Sequence, residues 1–303
     1  MPNSPTRPPA INGVNASTVL LLAGPWPTLL DALCARFPYL TRMRWEDRFA
    51  RGRVLDTTGN GLASDTPHVG EMIVHYYREV FDEPAIPFEE TIVHADAEIV
   101  IAEKPHFLPV TPAGRHVEET LLARLIRRYD EPNLAPMHRI DAGTAGLVMF
   151  SRNPATRASY QALFREHRIV KTYEAVARPL HQQSFPLIRH SRIVPGEPFY
   201  RMRETGGEPN AETRIDVMER GEHWWRYRLM PVTGRQHQLR VQMAGLGAPL
   251  RNDEIYPVVD RREAGDYARP LQLLAKLLEF VDPLTSERRR FTSSRSLIAL
   301  EGG

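Results

Sequence analysis

Cysteine and lysine are both scarce in this chain. Its 303 residues include one cysteine, Cys34, which excludes an internal disulfide framework and a cysteine-rich zinc site. Lysine occurs three times, so nearly all of the 39 positive charges are arginine. Arginine presents a planar fork that binds phosphate with two hydrogen bonds and stacks on bases. The bias therefore fits a nucleic-acid ligand, and a GC-rich genome is the alternative explanation.

Long apolar runs are also absent. No window approaches the roughly 18 uninterrupted apolar residues of a membrane-spanning helix. The opening MPNSPTRPPAINGVN lacks the apolar centre of a signal peptide. Hydrophobic residues make up 42% and charged residues 25% of the chain, as in a globular protein with a sizeable core. Together with the single cysteine, this composition predicts a cytoplasmic protein without a membrane partner.

Several common catalytic signatures are missing. The chain contains neither GxGxxG after a strand nor GxxxxGK[ST], the loops that hold nucleotide phosphates, and neither HExxH nor GxSxG. Their absence argues against common dehydrogenases, kinases, zinc proteases and α/β hydrolases. His94 and Asp96 could ligate a metal, but no partner cluster stands at ligand spacing. A metal-dependent hydrolase that uses His94, Asp96 and Asp141 is one alternative, and a chelator would inhibit it.

The composition divides the chain into segments. Residues 1–16 hold four prolines and little periodicity, which predicts a disordered arm. A small unit over residues 17–80 follows, with the amphipathic pattern TLLDALCARF and the arginine-rich pattern RMRWEDRFARG as helices. The acidic, proline-rich segment 81–90 is the predicted linker. Residues 91–303 form the predicted second domain.

Strand patterns dominate this second domain. EIVIAEKP and AGLVMFS read as buried strands, and KTYEAVARP alternates polar and apolar residues. Helical patterns are fewer, and GRQHQLRVQMAGLG is predicted to be a basic helix. Because strands outnumber helices and follow one another in sequence, we predict an α+β fold. It would have a mixed, mostly antiparallel sheet with flanking helices.

The segment MHRIDAGTAGLVMF places a carboxylate at the start of a buried strand. Asp141 stands just before the apolar run that ends at Phe150, so it would be held rigidly and face a cleft. The alternative is a turn aspartate that accepts hydrogen bonds from nearby backbone N–H groups.

Two further segments carry candidate site residues. Arg235 and Arg240 stand on different faces if VTGRQHQLRVQ is helical, and an inward arginine near Asp141 would keep that carboxylate ionised. A solvated basic helix is the alternative. Tyr173 in KTYEAV could stack on a base, or it could be a core tyrosine with a satisfied hydroxyl.

In series, these segments resemble the RluA-type pseudouridine synthases, which isomerise uridine in ribosomal or transfer RNA. The family pattern runs from a Lys-Pro strand end to His-Arg-Leu-Asp-x-x-Thr-Ser-Gly, Lys-x-Tyr and Thr-Gly-Arg-x-His-Gln-Ile/Leu-Arg. This chain has EKPHFLPV, HRIDAGTAG, KTYEAV and TGRQHQLRV in that order. The resemblance covers about residues 90–300.

The resemblance implies a set of site residues. Asp141 would be the catalytic aspartate, Arg240 its ion-pair partner, and Tyr173 the residue that stacks on the target base and assists proton removal. Arg139 would help to open the RNA and fill the space left by the flipped base. The other RNA contacts implied by the resemblance are His138, Thr144, Lys171, Arg235, His237 and Gln238.

The implied reaction is an isomerisation on a flipped base. The uracil must leave the stack, at a cost of a few kcal/mol, before the glycosidic bond breaks, the base rotates and carbon 5 joins the ribose. We expect no cofactor and no metal, an RNA partner and a monomer. Whether Asp141 attacks the sugar or removes a ribose proton stays open. A non-catalytic RNA-binding protein on the same scaffold is the main alternative.

The chain also departs from the family pattern. RNDEIYP stands where Gly-Asp-x-x-Tyr-Gly is frequent, so Asp253 and Tyr256 fit but the glycines are absent. Ile140, Ala145 and Leu274 replace the usual Leu, Ser and His. These changes bear on target choice rather than on catalysis. The 17–80 unit more weakly resembles a small RNA-binding domain first seen in a ribosomal small-subunit protein, with a plain helix–strand extension as the alternative.

Overall fold

The computed structural model describes residues 8–260, 263 and 265–300. The chain forms two compact units, and the first combines Met1–Glu83 with Pro112–Glu118 and Ala123–Pro132. The sequence interpretation assigned the last two segments to the second domain. No helix in the described ranges is long and apolar enough to cross a membrane.

The first unit has a three-stranded antiparallel sheet in the order β1-β3-β2. Trp45, Leu29 and Val74 are fully buried in its core, where apolar side chains of the helices meet the sheet. Thr28 caps the first helix by accepting a hydrogen bond from the N–H of Asp31. The elements are β1 (Ser17–Leu21), α1 (Leu29–Arg36), α2 (Arg42–Ala50), β2 (Val54–Leu55) and β3 (Met72–Tyr76).

Part of the predicted N-terminal arm packs in this unit. Residues 1–7 lie outside the described residues. Ile11 and Val14 form a β-bridge, and Val14 is buried against Val117 and Ala123. This apolar contact within the first unit orders a segment whose proline content predicted disorder.

The second unit is built on an eleven-stranded sheet in the order β10-β9-β11-β12-β8-β13-β7-β5-β4, with β14 paired to β13 and β6 to β7. Its strands are β4 (Thr91–Ala95), β5 (Ile99–Lys104), β6 (Ala135–Pro136), β7 (Ala145–Ser151), β8 (Val170–Ala177), β9 (Leu187–Pro195), β10 (Met202–Thr205), β11 (Ala211–Arg220), β12 (Trp225–Pro231), β13 (Leu273–Val281) and β14 (Arg288–Thr292). Among the described strands only β7 and β13 pair in parallel. The predicted mostly antiparallel α+β fold is therefore confirmed.

Two described helices lie within this unit, α4 (Arg157–Arg165) and α5 (Gln238–Gly245), whereas most of α3 (Leu121–Tyr129) belongs to the first unit. Tyr160 and Leu163 of α4 pack on the β5 and β7 side chains, and Leu239 and Met243 of α5 pack near Tyr227 of β12. Because the central strands β5 and β7 are buried along their whole length, their sequences are mostly apolar rather than alternating, and β5 ends in the buried charged residues Glu103 and Lys104.

Glycine is required where β7 meets β13. Gly146 has a φ of 110°, and a β-carbon there would overlap the Ala275 carbonyl oxygen. Ala275 and Gly146 are register partners in the parallel pair. The absence of a side chain therefore lets β13 approach the start of β7, directly after the segment that carries Asp141.

The basic helix begins later than its sequence pattern predicts. α5 starts at Gln238, and His237 before it has a left-handed backbone with a φ of 54°. Arg235 lies in the preceding turn, so of the two arginines only Arg240 lies on a face of this helix. The ambiguous LLAKLLEF pattern is a strand, β13.

Candidate active site

Asp141 lies in a turn that leads directly into β7. The N–H of Thr144 closes the turn by donating to the Asp141 carbonyl oxygen at 3.0 Å. The Asp141 side chain keeps 26% of its surface exposed, whereas the strand behind it is buried. The carboxylate is therefore held by a rigid element while one side of it stays open.

Arg240 connects Asp141 to a second, buried carboxylate. Its Nη1 donates to Asp141 Oδ2 at 2.9 Å, and its Nε and Nη2 donate to the two Asp253 oxygens at 2.8 and 2.7 Å. Asp253 also accepts hydrogen bonds from the N–H groups of Ile255 and Tyr256. Because the guanidinium donates hydrogen bonds to both carboxylates, it has one fixed orientation toward Asp141.

The ion pair keeps Asp141 charged. Burial is the largest influence and acts to raise the pKa of Asp141, but Arg240, His237 and Lys104 together outweigh it, so the pKa lies below its ordinary value. Burial likewise opposes the charged form of Arg240, yet hydrogen bonds and charges from Asp253 and Asp141 raise its pKa. At neutral pH the site therefore holds an ionised carboxylate against a permanent cation.

His237 approaches the other oxygen of Asp141. Its Nε2 lies 3.8 Å from Asp141 Oδ1, and its Nδ1 lies 2.9 Å from the Tyr256 hydroxyl. That hydroxyl accepts the Met202 N–H at 2.8 Å, so its own proton is available to Nδ1. Burial lowers the pKa of His237, which favours the neutral ring. This network assigns the single ring proton to Nε2, facing Asp141.

Tyr173 enters the same site from β8. It pairs across the sheet with Leu229 and Ala275 and packs against the cluster around Tyr227. Burial, and then the nearby Asp141 charge, raise the pKa of Tyr173. Its hydroxyl is therefore protonated at neutral pH and can donate a hydrogen bond.

Lys104 and His106 hold the Asp141 turn through its backbone carbonyl groups. Lys104 Nζ is buried and donates to the carbonyl oxygens of Pro105 at 2.9 Å and Ala142 at 3.0 Å. His106 Nδ1 donates to the Gly143 carbonyl oxygen at 2.7 Å. Burial lowers the pKa of Lys104 well below its ordinary value, against the Asp141 charge. Neither Lys104 nor His106 belongs to the set of site residues that the family resemblance implies.

Several predicted RNA contacts are engaged inside the protein. His138 Nε2 accepts the Met149 N–H at 3.1 Å, its ring stacks on Phe164 at 4.8 Å, and burial lowers its pKa to about 3. Gln238 and Thr144 are buried, and the Gln238 amide donates to the Glu212 carbonyl oxygen at 3.0 Å. These side chains are therefore engaged within the protein, and their contact with RNA stays a prediction.

The exposed members of the predicted set are arginines. Arg139 is exposed just before Asp141, and Arg235 is exposed while its Nε donates to the Asn210 carbonyl oxygen at 3.0 Å. Lys171 is partly buried and its Nζ donates to the Thr233 carbonyl oxygen at 3.3 Å. Arg139 and Arg235 can therefore reach an external phosphate with the least rearrangement.

The alternative metal ligands belong to a different network. His94 Nε2 lies 2.9 Å from Asp96 Oδ2, and Arg289 Nη1 approaches the same oxygen at 2.6 Å. The Arg289 cation thus occupies the side of Asp96 that a metal would need. Among the described residues, no group of three or more acidic, histidine or cysteine side chains could hold a metal ion.

Comparisons with known proteins identify the family. The model of the RNA pseudouridylate synthase family matches residues 98–245. The dual-specificity RNA pseudouridine synthase RluA of Vibrio cholerae is 32% identical over 63% of this chain and 77% of that protein. The ribosomal large subunit pseudouridine synthase D of Escherichia coli is 31% identical over 75% of this chain and 71% of that protein. The solved structure of human RNA pseudouridylate synthase domain containing 1 is 26% identical, with a TM-score of 0.57, over 70% and 86% of the two chains.

The fold and the sequence matches together define an RNA pseudouridine synthase, an enzyme that isomerises uridine to pseudouridine. Within that class, the chain belongs to the RluA and RluD type. The family expected from the ordered motifs is therefore confirmed.

Proposed function

We propose that this enzyme isomerises a uridine in structured ribosomal or transfer RNA, with Asp141 as the residue that carries out the chemistry. The observation that carries the proposal is the ionised, partly open carboxylate of Asp141, oriented by Arg240. A carboxylate fixed in this way can either attack the ribose carbon or take up a ribose proton. In both routes it acts as an anion, and its lowered pKa keeps it available.

The other side chains take complementary roles in the proposal. Tyr173 stacks on the flipped uracil and offers its protonated hydroxyl to the base. Arg139 enters the RNA stack from the residues just before Asp141, and Arg235 contacts the phosphate backbone. Lys104 and His237 position the Asp141 turn and its carboxylate. No step in this scheme requires a cofactor or a metal.

The target is inferred from the relatives and the charge. Several relatives are named as synthases of the ribosomal large subunit, and others as dual-specificity enzymes. We therefore infer ribosomal RNA as the first candidate and transfer RNA as the second. We also propose that the small first unit adds RNA contacts through Arg42 and Arg44, the exposed arginines of α2, and that the enzyme is a cytoplasmic monomer.

A carbodiimide primer-extension map of pseudouridines in total RNA tests the proposal. The map compares a deletion strain complemented with the wild-type chain or with Asp141→Asn. We expect one or more stops that only the wild type restores, and nearly unchanged RNA affinity for the variant, because the substitution removes chemistry rather than phosphate contacts. Identical maps with retained RNA binding would support the non-catalytic alternative.

A further inference from the structure

Three aromatic rings form a cluster beside the Asp141 turn. The ring centroids of Phe107 and Tyr267 lie 5.0 Å apart, those of Phe88 and Tyr267 5.4 Å, and those of Phe88 and Phe107 6.0 Å. Phe88 is 37% exposed, and the other two rings are partly buried. We call Phe88, Phe107 and Tyr267 the aromatic cluster.

The cluster is tied to the catalytic turn through its own chain segment. His106, next to Phe107, donates to the Gly143 carbonyl oxygen at 2.7 Å, and Lys104 donates to that of Ala142 at 3.0 Å. The position of a β-carbon at Gly143 would lie 3.3 Å from Leu271, four residues after Tyr267. Two cluster segments therefore border the turn that presents Asp141.

Phe107 keeps its ring there in an unfavourable backbone conformation. Its φ is 69°, and it is the only apolar side chain among the described non-glycine residues with positive φ. Asparagine and glycine adopt this conformation readily, whereas a bulky residue is strained by it. Strain of this kind marks positions where a side chain serves function.

We propose that the aromatic cluster is a stacking platform for an unpaired RNA base that lies next to the target uridine. The inference rests on the proposed function. When the target base is flipped out, its neighbours lose a stacking partner, and an aromatic surface beside the cleft replaces that contact. Stacking on aromatic rings tolerates any base, so the platform would support binding without selecting sequence.

Photo-crosslinking with 5-iodouridine tests the contact directly. Transcripts of large-subunit ribosomal RNA and of transfer RNAs, with part of their uridine replaced, are irradiated with the full chain, and the crosslinked peptides are identified by mass spectrometry. We expect crosslinks at Phe88, Phe107 or Tyr267. Crosslinks at Tyr173 without any in the aromatic cluster would overturn the platform. Pseudouridine formation by the wild type, assayed on the same transcripts without iodine, reports separately on the proposed function.

Two variants of Phe107 separate stacking from packing. Phe107→Asn removes the ring but suits the positive φ, so we expect RNA affinity to fall at least about fivefold with no decrease in Tm. Phe107→Tyr keeps a ring and should bind like the wild type. A lower Tm with unchanged affinity for Phe107→Asn would mean that the ring only packs against its neighbours, and would overturn the inference.

Discussion

Arg240 is the largest of the groups that keep Asp141 charged, ahead of His237 and Lys104. Removing it in Arg240→Gln leaves the burial of Asp141, which raises the pKa, without the main counter-charge that lowers it. We expect the acid limb of the log kcat–pH profile to move to higher pH than in the wild type. Release of tritium from 5-tritiated uridine RNA measures the profile. Arg235→Gln is the matched control, since that exposed arginine should alter KM and leave the acid limb in place.

The Tyr256 hydroxyl contacts the His237 ring and also accepts a hydrogen bond from a backbone N–H. Tyr256→Phe deletes the hydroxyl that accepts the Met202 N–H and contacts His237 Nδ1. A buried group left without a partner costs about 1–3 kcal/mol, so we expect a loss of that size in the free energy of unfolding. Urea denaturation measures it. Tyr39→Phe, at a tyrosine that is 77% exposed, should change little, and equal losses would contradict the assignment.

The pairing of Arg240 with Asp141 is predictable from the sequence, because an inward arginine would stabilise the carboxylate and the family resemblance pairs these two positions. Asp253 in RNDEIYP has no predicted role. The bidentate contact between Asp253 and Arg240 joins a helix to a loop with no shared periodicity, so no spacing pattern could have revealed it. The burial of Lys104 is also not predictable from the sequence, because lysine side chains are mostly exposed in proteins.

At the scale of the element, the junction of β7 and β13 limits what the site tolerates. Gly146→Ala would place a β-carbon on the Ala275 carbonyl at a φ of 110°. We expect the free energy of unfolding to fall by ~3 kcal/mol or more, with loss of activity, because the strands must separate beside Asp141. Thermal unfolding and the tritium assay measure both effects. Gly206→Ala is the control: no atom lies within 4 Å of a β-carbon there.

Sequence patterns predict which segments are strands, but they do not predict the order of the strands in the sheet. The apolar runs of β5 and β7 and the alternation in β8 identify strands because burial on one or both faces sets composition. The parallel pairing of β13 with β7 joins residues far apart in the chain, and nothing in either strand specifies that partner. The left-handed residue before α5 was also missed, since a histidine there carries no glycine-like signal.

At the scale of the whole molecule, each compact unit combines segments that are separated in the sequence. Residues 112–118 and 123–132 belong to the first unit, although they follow the segment 84–111 of the second. Composition placed a linker at 81–90, where prolines and acidic residues cluster, and the domain boundaries stay a prediction. Composition cannot show that a later segment of the chain packs in an earlier unit, because such a segment has the same amphipathic composition as any other.

Acid should destabilise the second unit by protonating the carboxylate of Asp96, whose side chain is only partly exposed. Burial acts to raise the pKa of Asp96, but hydrogen bonds from His94, Ile99 and Arg289 lower it below its ordinary value of 3.8. A carboxylate with a lowered pKa in the folded state stabilises the fold above its unfolded pKa and loses that contribution as pH falls. The free energy of unfolding should therefore decrease from about pH 5 downward.

Urea denaturation across this pH range measures the effect, with Asp96→Asn as the test variant. We expect the variant to be less stable than the wild type at neutral pH and to show a shallower decrease on acidification, because it lacks the carboxylate that must be protonated. Glu222→Gln is the control, at a side chain that is 87% exposed, and it should follow the wild type. Parallel pH profiles for Asp96→Asn and the wild type would exclude Asp96 as a source of the acid sensitivity.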